Sequence, residues 1–176
     1  RETIIRFSAV NIVVHPHPAN VYEKLIRAAW RHRLSAQVHG ERWGRITQVW
    51  ESSDNELPGI HGVISTFTQI DPDQPWFNDE TDDEASDADL NALDIPENLK
   101  PNLRRCRFIL DEKNHILSFD MESSKGGLSG GLMEKFLRRL FSSKEIIDEF
   151  GEVKVTLLHP DGTIEDLLDI PGLREI

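Results

Sequence analysis

The sequence predicts an α+β fold, a largely antiparallel sheet with helices packed on it and ferredoxin-like β-α-β pieces in each half. Three observations predict it. Segments with period-two apolar alternation recur along the chain. Segments with helical apolar spacing fall between them. Several strand-like segments are joined by polar turns too short for a crossover, which favours antiparallel pairing. A length of 176 residues fits one domain, and 38% apolar residues suffice for a core.

Ile4 to Val14 alternates as a long strand, with Ile4, Val10, Ile12 and Val14 on one face and Ile5, Phe7 and Val13 on the other. His15-Pro16-His17-Pro18 stops it, because proline removes donors and biases its predecessor away from helix. Asn20 is the expected N-cap of a helix over Val21 to Arg33, with Tyr22, Leu25, Ile26 and Ala29 on its apolar stripe and Trp30 as a further candidate for it. Ser35 to His39, Ile46 to Glu51 and Ile60 to Ile70 then read as strands, the last two joined through Asp54-Asn55 and Pro58-Gly59. Pro72 and Pro75 end the meander, and a short helix is expected near Asp87 to Leu93.

Arg107 to Leu110 and Ile116 to Met121 flank a polar turn as a hairpin. A glycine-rich hinge, Ser124 to Gly131, leads into a helix burying Leu132, Phe136, Leu137, Leu140 and Phe141, with Lys135, Arg138 and Arg139 outside. Ser142 and Glu145 have capping-box spacing for a short helix closed by Gly151. Glu152 to Leu158 alternates as a strand. Thr163 caps a helix over Ile164 to Ile170, and Leu173 to Ile176 begins a strand. We therefore expect residues 1–176 to form one α+β domain, with 71–101 as an acidic loop insertion. An end in mid-strand implies a C-terminus truncated relative to the full protein.

Charge is unevenly placed. The 31 acids and 20 bases give −11, and the eleven acids between Asp71 and Glu97, a stretch without Lys or Arg, account for all of it. Such a run reads as a solvated loop extended by self-repulsion. The opposite pole is Lys24, Arg27, Arg31, Arg33, Arg42 and Arg45 against the single acid Glu41, interleaved with Trp30 and Trp43. Bases for phosphates and rings for stacking suit RNA or single-stranded DNA. The competing readings are a basic helix face with Trp30 in the core, or a surface paired with the acidic loop of the same or a neighbouring molecule.

Other chemistry is sparser. His15 and His17 place two imidazoles on one side of an extended segment, as two ligands of a Zn or Mn site that His39, His61 or an acid would complete. A rigid corner with exposed histidines explains them equally. Lys125, Gly126, Gly127, Gly130 and Gly131 precede a helix as phosphate loops do, but without a G-K-[ST] ending or G-x-G-x-x-G spacing. Cys106 sits among arginines, yet alternation turns it and Phe108 one way and Arg105 and Arg107 the other, which makes it a small core residue. No nucleophile-elbow serine is present, and no cofactor is expected.

Four segments together, Phe7 to Ile26 (FSAVNIVVHPHPANVYEKLI), Val63 to Asn78 (VISTFTQIDPDQPWFN), Ile95 to Asp120 and Glu134 to Leu157, resemble a bacterial family of uncharacterised proteins, a domain of unknown function. That family is associated with phage-defence and mobile-element loci. The resemblance implies a defence setting and no mechanism. Taken with the absent catalytic motifs and the segregated charges, it leads us to expect a non-catalytic subunit of an anti-phage defence system that acts by recognising a protein partner or by oligomerising. The alternatives are nucleic-acid binding through the 24–45 surface and a metal-dependent hydrolase or nuclease using His15 and His17. One cysteine and no apolar run of about 18–20 residues place the expected protein in the cytoplasm, away from membranes.

Overall fold

The computed structural model describes residues 6–121 and 127–158. Among these described residues nine strands and four helices follow the order β1 (Arg6–Val14), α1 (Val21–Arg31), β2 (Ser35–His39), β3 (Arg42–Glu51), β4 (Ile60–Thr68), β5 (Phe77–Asn78), β6 (Asp83–Glu84), α2 (Asp87–Asn91), β7 (Arg104–Asp111), β8 (Ile116–Met121), α3 (Gly130–Leu140), α4 (Lys144–Phe150) and β9 (Val153–Leu157). The expected helix beyond Thr163 and the strand at Leu173 lie outside the described residues.

Seven strands form one sheet in the order β2-β3-β4-β7-β8-β1-β9, and every ladder in it is antiparallel. The expected mixture of antiparallel sheet and packed helices is present. The ferredoxin-like pieces are not confirmed. In the first half β3, β4, β7 and β8 all lie between β1 and β2, the strands that flank α1, whereas in the second half β8 and β9 are parallel with β1 alone between them.

The sheet is strongly curled. Laid flat, seven strands would span about 29 Å. Yet α3, 11 residues and therefore about 16 Å long, packs on both edge strands, β2 and β9. Its arginines clip the open edges. Arg138 Nε donates to the Val155 carbonyl at 2.9 Å, and Arg139 Nη1 donates to the Gln37 carbonyl at 3.0 Å. The Leu157 N–H donates to Glu134. These bonds satisfy edge groups that would otherwise be free to recruit another strand. Lys135, Arg138 and Arg139 were expected merely to face solvent, and two of them instead hold the sheet closed.

Helices α1, α3 and α4 pack on the concave face. Cβ alternation and register place Gly44, Ile46, Ile60, Ile64, Cys106, Phe108, Leu110, Leu117, Phe119, Val10, Ile12, Val14 and Val155 there, and the core unites them with α1, α3 and Ile146 of α4. Cys106 is buried, as its alternation predicts. Gly44 is needed for close approach, since a Cβ there would stand 2.9 Å from the Phe136 ring.

Three local expectations are corrected. Asn20 holds the N-cap position of α1 but has φ 60° and no side-chain capping bond. Glu112, from the β7–β8 turn, accepts the Glu23 N–H at 2.6 Å, so a distant carboxylate satisfies the helix end. Helix α4 begins one residue later than the Ser142 box requires. Its N-cap is Ser143, without a side-chain capping bond, while Ser142 Oγ donates to the Arg138 carbonyl. Strands β3 and β7 also start earlier than expected, at Arg42 and Arg104, because pairing with β4 draws in arginines that propensity alone does not favour.

Candidate functional site

Three surfaces gather the chemistry-bearing residues. The first is the corner between β1 and α1. There His15 and His17 meet edge-on with ring centroids 4.6 Å apart, so the H-x-H pair does come together. His115, from the β7–β8 turn, completes the group. It stacks on His17 at 4.9 Å and on Tyr22 at 4.4 Å. Tyr22 Oη accepts the Val14 N–H at 3.3 Å and lies 2.7 Å from His17 Nδ1, an arrangement satisfied when the hydroxyl donates to a neutral imidazole. His39 and His61, the expected completing ligands, stand elsewhere, at the end of β2 and within β4. The near-parallel His17 and His115 rings, inclined by 15°, oppose faces rather than nitrogen lone pairs. Among the described residues no group of three His, Cys, Asp or Glu is arranged to hold a metal ion.

Desolvation in this stack, with His15 and His115 adding to it, holds the His17 imidazole below the usual histidine range. The unfolded chain then binds a proton more readily than the folded one, so this contribution to stability is full above the unfolded value. It is lost as pH falls from about 6.5 toward the folded value. Between about pH 7.5 and pH 5, the wild-type unfolding midpoint should fall further than that of His17→Gln. Equal pH slopes for the two proteins would contradict this account.

The second surface is the arm between β4 and β7, which holds the acidic insertion. It is locally structured. Strands β5 and β6 pair, and Ser86 and Asp89 form a reciprocal capping box on α2. Asn78 Nδ2 donates to the same Asp89 carboxylate at 3.2 Å, tying the hairpin to the helix. The Ser86 hydroxyl and N–H and the Asn78 amide together hold the Asp89 carboxyl below its usual range. The root is fastened by the Thr68 N–H to the Pro101 carbonyl and the Gln69 N–H to the Glu41 carbonyl. Beyond it, Phe77, Leu93, Ile95 and Leu99 are exposed, Phe77 by 66%, as is Leu103 between the root and β7.

The third surface is the convex face of the sheet, on which no helix lies among the described residues. The predicted 24–45 surface is divided by the fold. Lys24 and Arg31 are exposed on α1, and Arg27 pairs with Glu23 at 2.7 Å. Trp30, 37% exposed, donates from Nε1 to the Thr47 carbonyl, so it lies against β3 rather than in the core. Arg42 turns to the concave side, where it donates to Thr66 Oγ1 at 3.0 Å. Only Trp43 and Arg45 reach the convex face, and the register sets them in rows that the sequence does not announce. Arg45 lies opposite Ser65, and Ser65 opposite Arg105. Trp43 lies opposite Phe67, and Trp50 opposite His61.

Arg107, His61, Trp50, Phe67 and exposed Phe7 share this face through the same alternation. Trp50 and His61 are in ring contact at 5.9 Å. Arg45 Nε donates to Ser35 Oγ at 2.9 Å, and partial burial with Arg33 nearby lowers its guanidinium pKa without removing its charge. Arg105 and Arg107 were identified in sequence only as the residues pointing away from Cys106. What was missing was the strand pairing that puts Arg105 in line with Arg45.

The glycine-rich segment reads differently in three dimensions. Lys125 and Gly126 lie outside the described residues. The Gly127 carbonyl is 3.5 Å from Arg42 Nη1, and Ser129 Oγ accepts the Leu132 N–H, so the chain's own side chain caps α3. A Cβ on Gly130 would stand 2.6 Å from a terminal methyl of Leu157, so a side chain there requires that leucine to shift, whereas Gly131 is open. The recess lined by Arg42, Thr66, Arg104, Cys106, Asp120 and Gly127 admits no more than a water molecule.

Among the described residues no helix is long and apolar enough to cross a membrane. Neither a curated protein nor a solved structure matches the chain. One family does: the family described as "Domain of unknown function (DUF4747)" matches residues 3–176, and the chain belongs to it.

Proposed function

We propose that this chain is a non-catalytic recognition subunit that works by binding a protein partner, in the first instance a second copy of itself. Bacterial anti-phage defence is the setting that the family resemblance favours. The observation that carries the reading is the arm. Four large apolar side chains stand exposed on a segment whose neighbouring acids carry the chain's entire net charge. Scattered exposed apolar residues are ordinary, but here they are concentrated on one excursion from the core, which favours a surface that is covered in an assembly. Its partner surface would be basic with apolar gaps.

Light scattering after size exclusion tests this. The expected mass exceeds one chain and falls toward one chain as salt is raised, because added ions screen the arm's charge. A Leu93→Ser, Ile95→Ser, Leu99→Ser variant should run as one chain and stay folded, since none of the three belongs to the core. Its unfolding midpoint should be lower only by what the assembly supplies, and independent of protein concentration. A mass of one chain for the wild type at every salt and protein concentration would overturn self-association.

A further inference from the structure

We propose that the convex face of the sheet is a binding surface for single-stranded nucleic acid, recognised by Arg45, Arg105 and Arg107 for its phosphates and by Trp43, Trp50 and Phe67 for its bases. This ligand does not depend on the arm and engages a different surface from the one the arm supplies.

The placement follows from register. Arg45 and Arg105 flank Ser65 on the two strands beside β4, about 10 Å apart at two strand spacings. Arg107 follows Arg105 two residues along β7, about 7 Å away on the same face. The three cations thus form a bent track across the middle of the sheet. Neither Arg105 nor Arg107 enters an ion pair among the described residues, and both are exposed. The acid beside them is Asp120, one of whose oxygens accepts the Arg107 N–H at 2.8 Å. Ser65, 6% exposed, and the Thr47 hydroxyl 2.8 Å from it make a close-packed polar floor between the arginines.

Rings border the track on both sides. Trp43 and Phe67 face each other across β3 and β4 on one side of Arg45, and Trp50 lies on the other side beyond the bulge at Thr47. Trp50 is 42% exposed although it is held against His61. Exposed Trp50 and half-buried Trp43 and Phe67 beside guanidinium groups match an unpaired strand, whose bases are free to stack while its phosphates take charge-assisted hydrogen bonds. A duplex would present phosphates alone and leave the rings unused. The local charge agrees: the track sets Arg45, Arg105 and Arg107 beside the single acid Asp120, on a part of the chain, outside residues 71–97, whose acids and bases balance.

Fluorescence anisotropy with labelled oligo(dT) and oligo(U) of about 15 nucleotides, and a duplex of equal length, tests the proposal on the full chain. We expect both single strands to bind more tightly than the duplex. The Arg45→Gln, Arg105→Gln, Arg107→Gln variant should bind about tenfold more weakly or worse, with a salt slope flatter by about 2. Trp50→Ala should weaken single-strand binding by about five- to a hundredfold and leave the duplex unaffected. Circular dichroism and the unfolding midpoint verify that each variant is folded. No binding up to about 100 μM at low salt would overturn the proposal. So would binding untouched by the arginine variant, which would move the ligand to the Lys24 and Arg31 face of α1. Equal affinity for duplex and single strand with Trp50→Ala silent would reduce it to nonspecific electrostatics. Loss of self-association in the arginine variant, with no oligonucleotide bound, would assign the face to another copy's acidic arm and also overturn it.

Discussion

Phe136→Ala should cost about 3–5 kcal/mol of stability, a large part of the roughly 5–15 kcal/mol that a domain of this kind possesses. Phe136 is fully buried, and it is the α3 side chain that fills the space over Gly44 on β3. The loss has two parts. Transfer of the ring to water is forfeited, and a cavity opens beneath a helix that cannot collapse inward, because Arg138 and Arg139 fix it to both edges of the sheet. A drop of about 6–20 °C in the unfolding midpoint is expected for a chain of this size. Denaturant unfolding gives the free energy directly. A cost below about 1 kcal/mol would mean that α3 is not the closure of the curled sheet.

Gly62→Ala is the second large effect, and here the fault is excess rather than loss. A Cβ at Gly62 would lie 2.2 Å from Phe108 Cζ and 2.6 Å from the Gln48 carbonyl oxygen. The ring has little room to yield, since Phe108 is 2% exposed and packed in the core. The carbonyl belongs to the β3 backbone immediately after the bulge that separates the Ile46 and Gln48 pairings with β4. Overpacking of this kind costs about 1–3 kcal/mol, and contact with backbone puts this site at or above the upper end. Adding Phe108→Leu should make the double variant less unstable than the two single costs summed, by about 1 kcal/mol, because only the ring part of the clash is relieved. Strict additivity in denaturant unfolding would show that Gly62 and Phe108 do not compete for the same space.

The elements were legible because their signals are local. The alternation of Val10, Ile12 and Val14, the helical spacing of Leu25, Ile26 and Ala29, and Gly151 at the close of α4 each need only a few neighbouring residues to be read. Where a distant group took over a local task, reading failed. Asn20 looks like a cap, yet Glu112 does the capping from the far side of a hairpin. Arg42 looks like part of a basic patch with Arg45, but they are three residues apart, an odd separation in a strand, so their side chains turn to opposite faces of the sheet. The candidate sites fared likewise. The closeness of His15 and His17 follows from their spacing, whereas His115 joins them only through the pairing of β1 with β8.

By itself the sequence determined the long strands and helices of the main sheet, the core-facing apolar stripes of β1, α1 and α3, the buried state of Cys106 and the confinement of the net charge to one segment. These follow from dihedral preference, periodicity and composition, which act over a few residues. It did not determine the β5–β6 hairpin within that segment or the outward position of Trp30. Tertiary structure alone decided the strand order, the curl that lets α3 bridge β2 and β9, the imidazole stack and the row joining Arg45 to Arg105. Each of these depends on which segments become neighbours, and that choice is made by burying every apolar face at once around the concave side of the sheet.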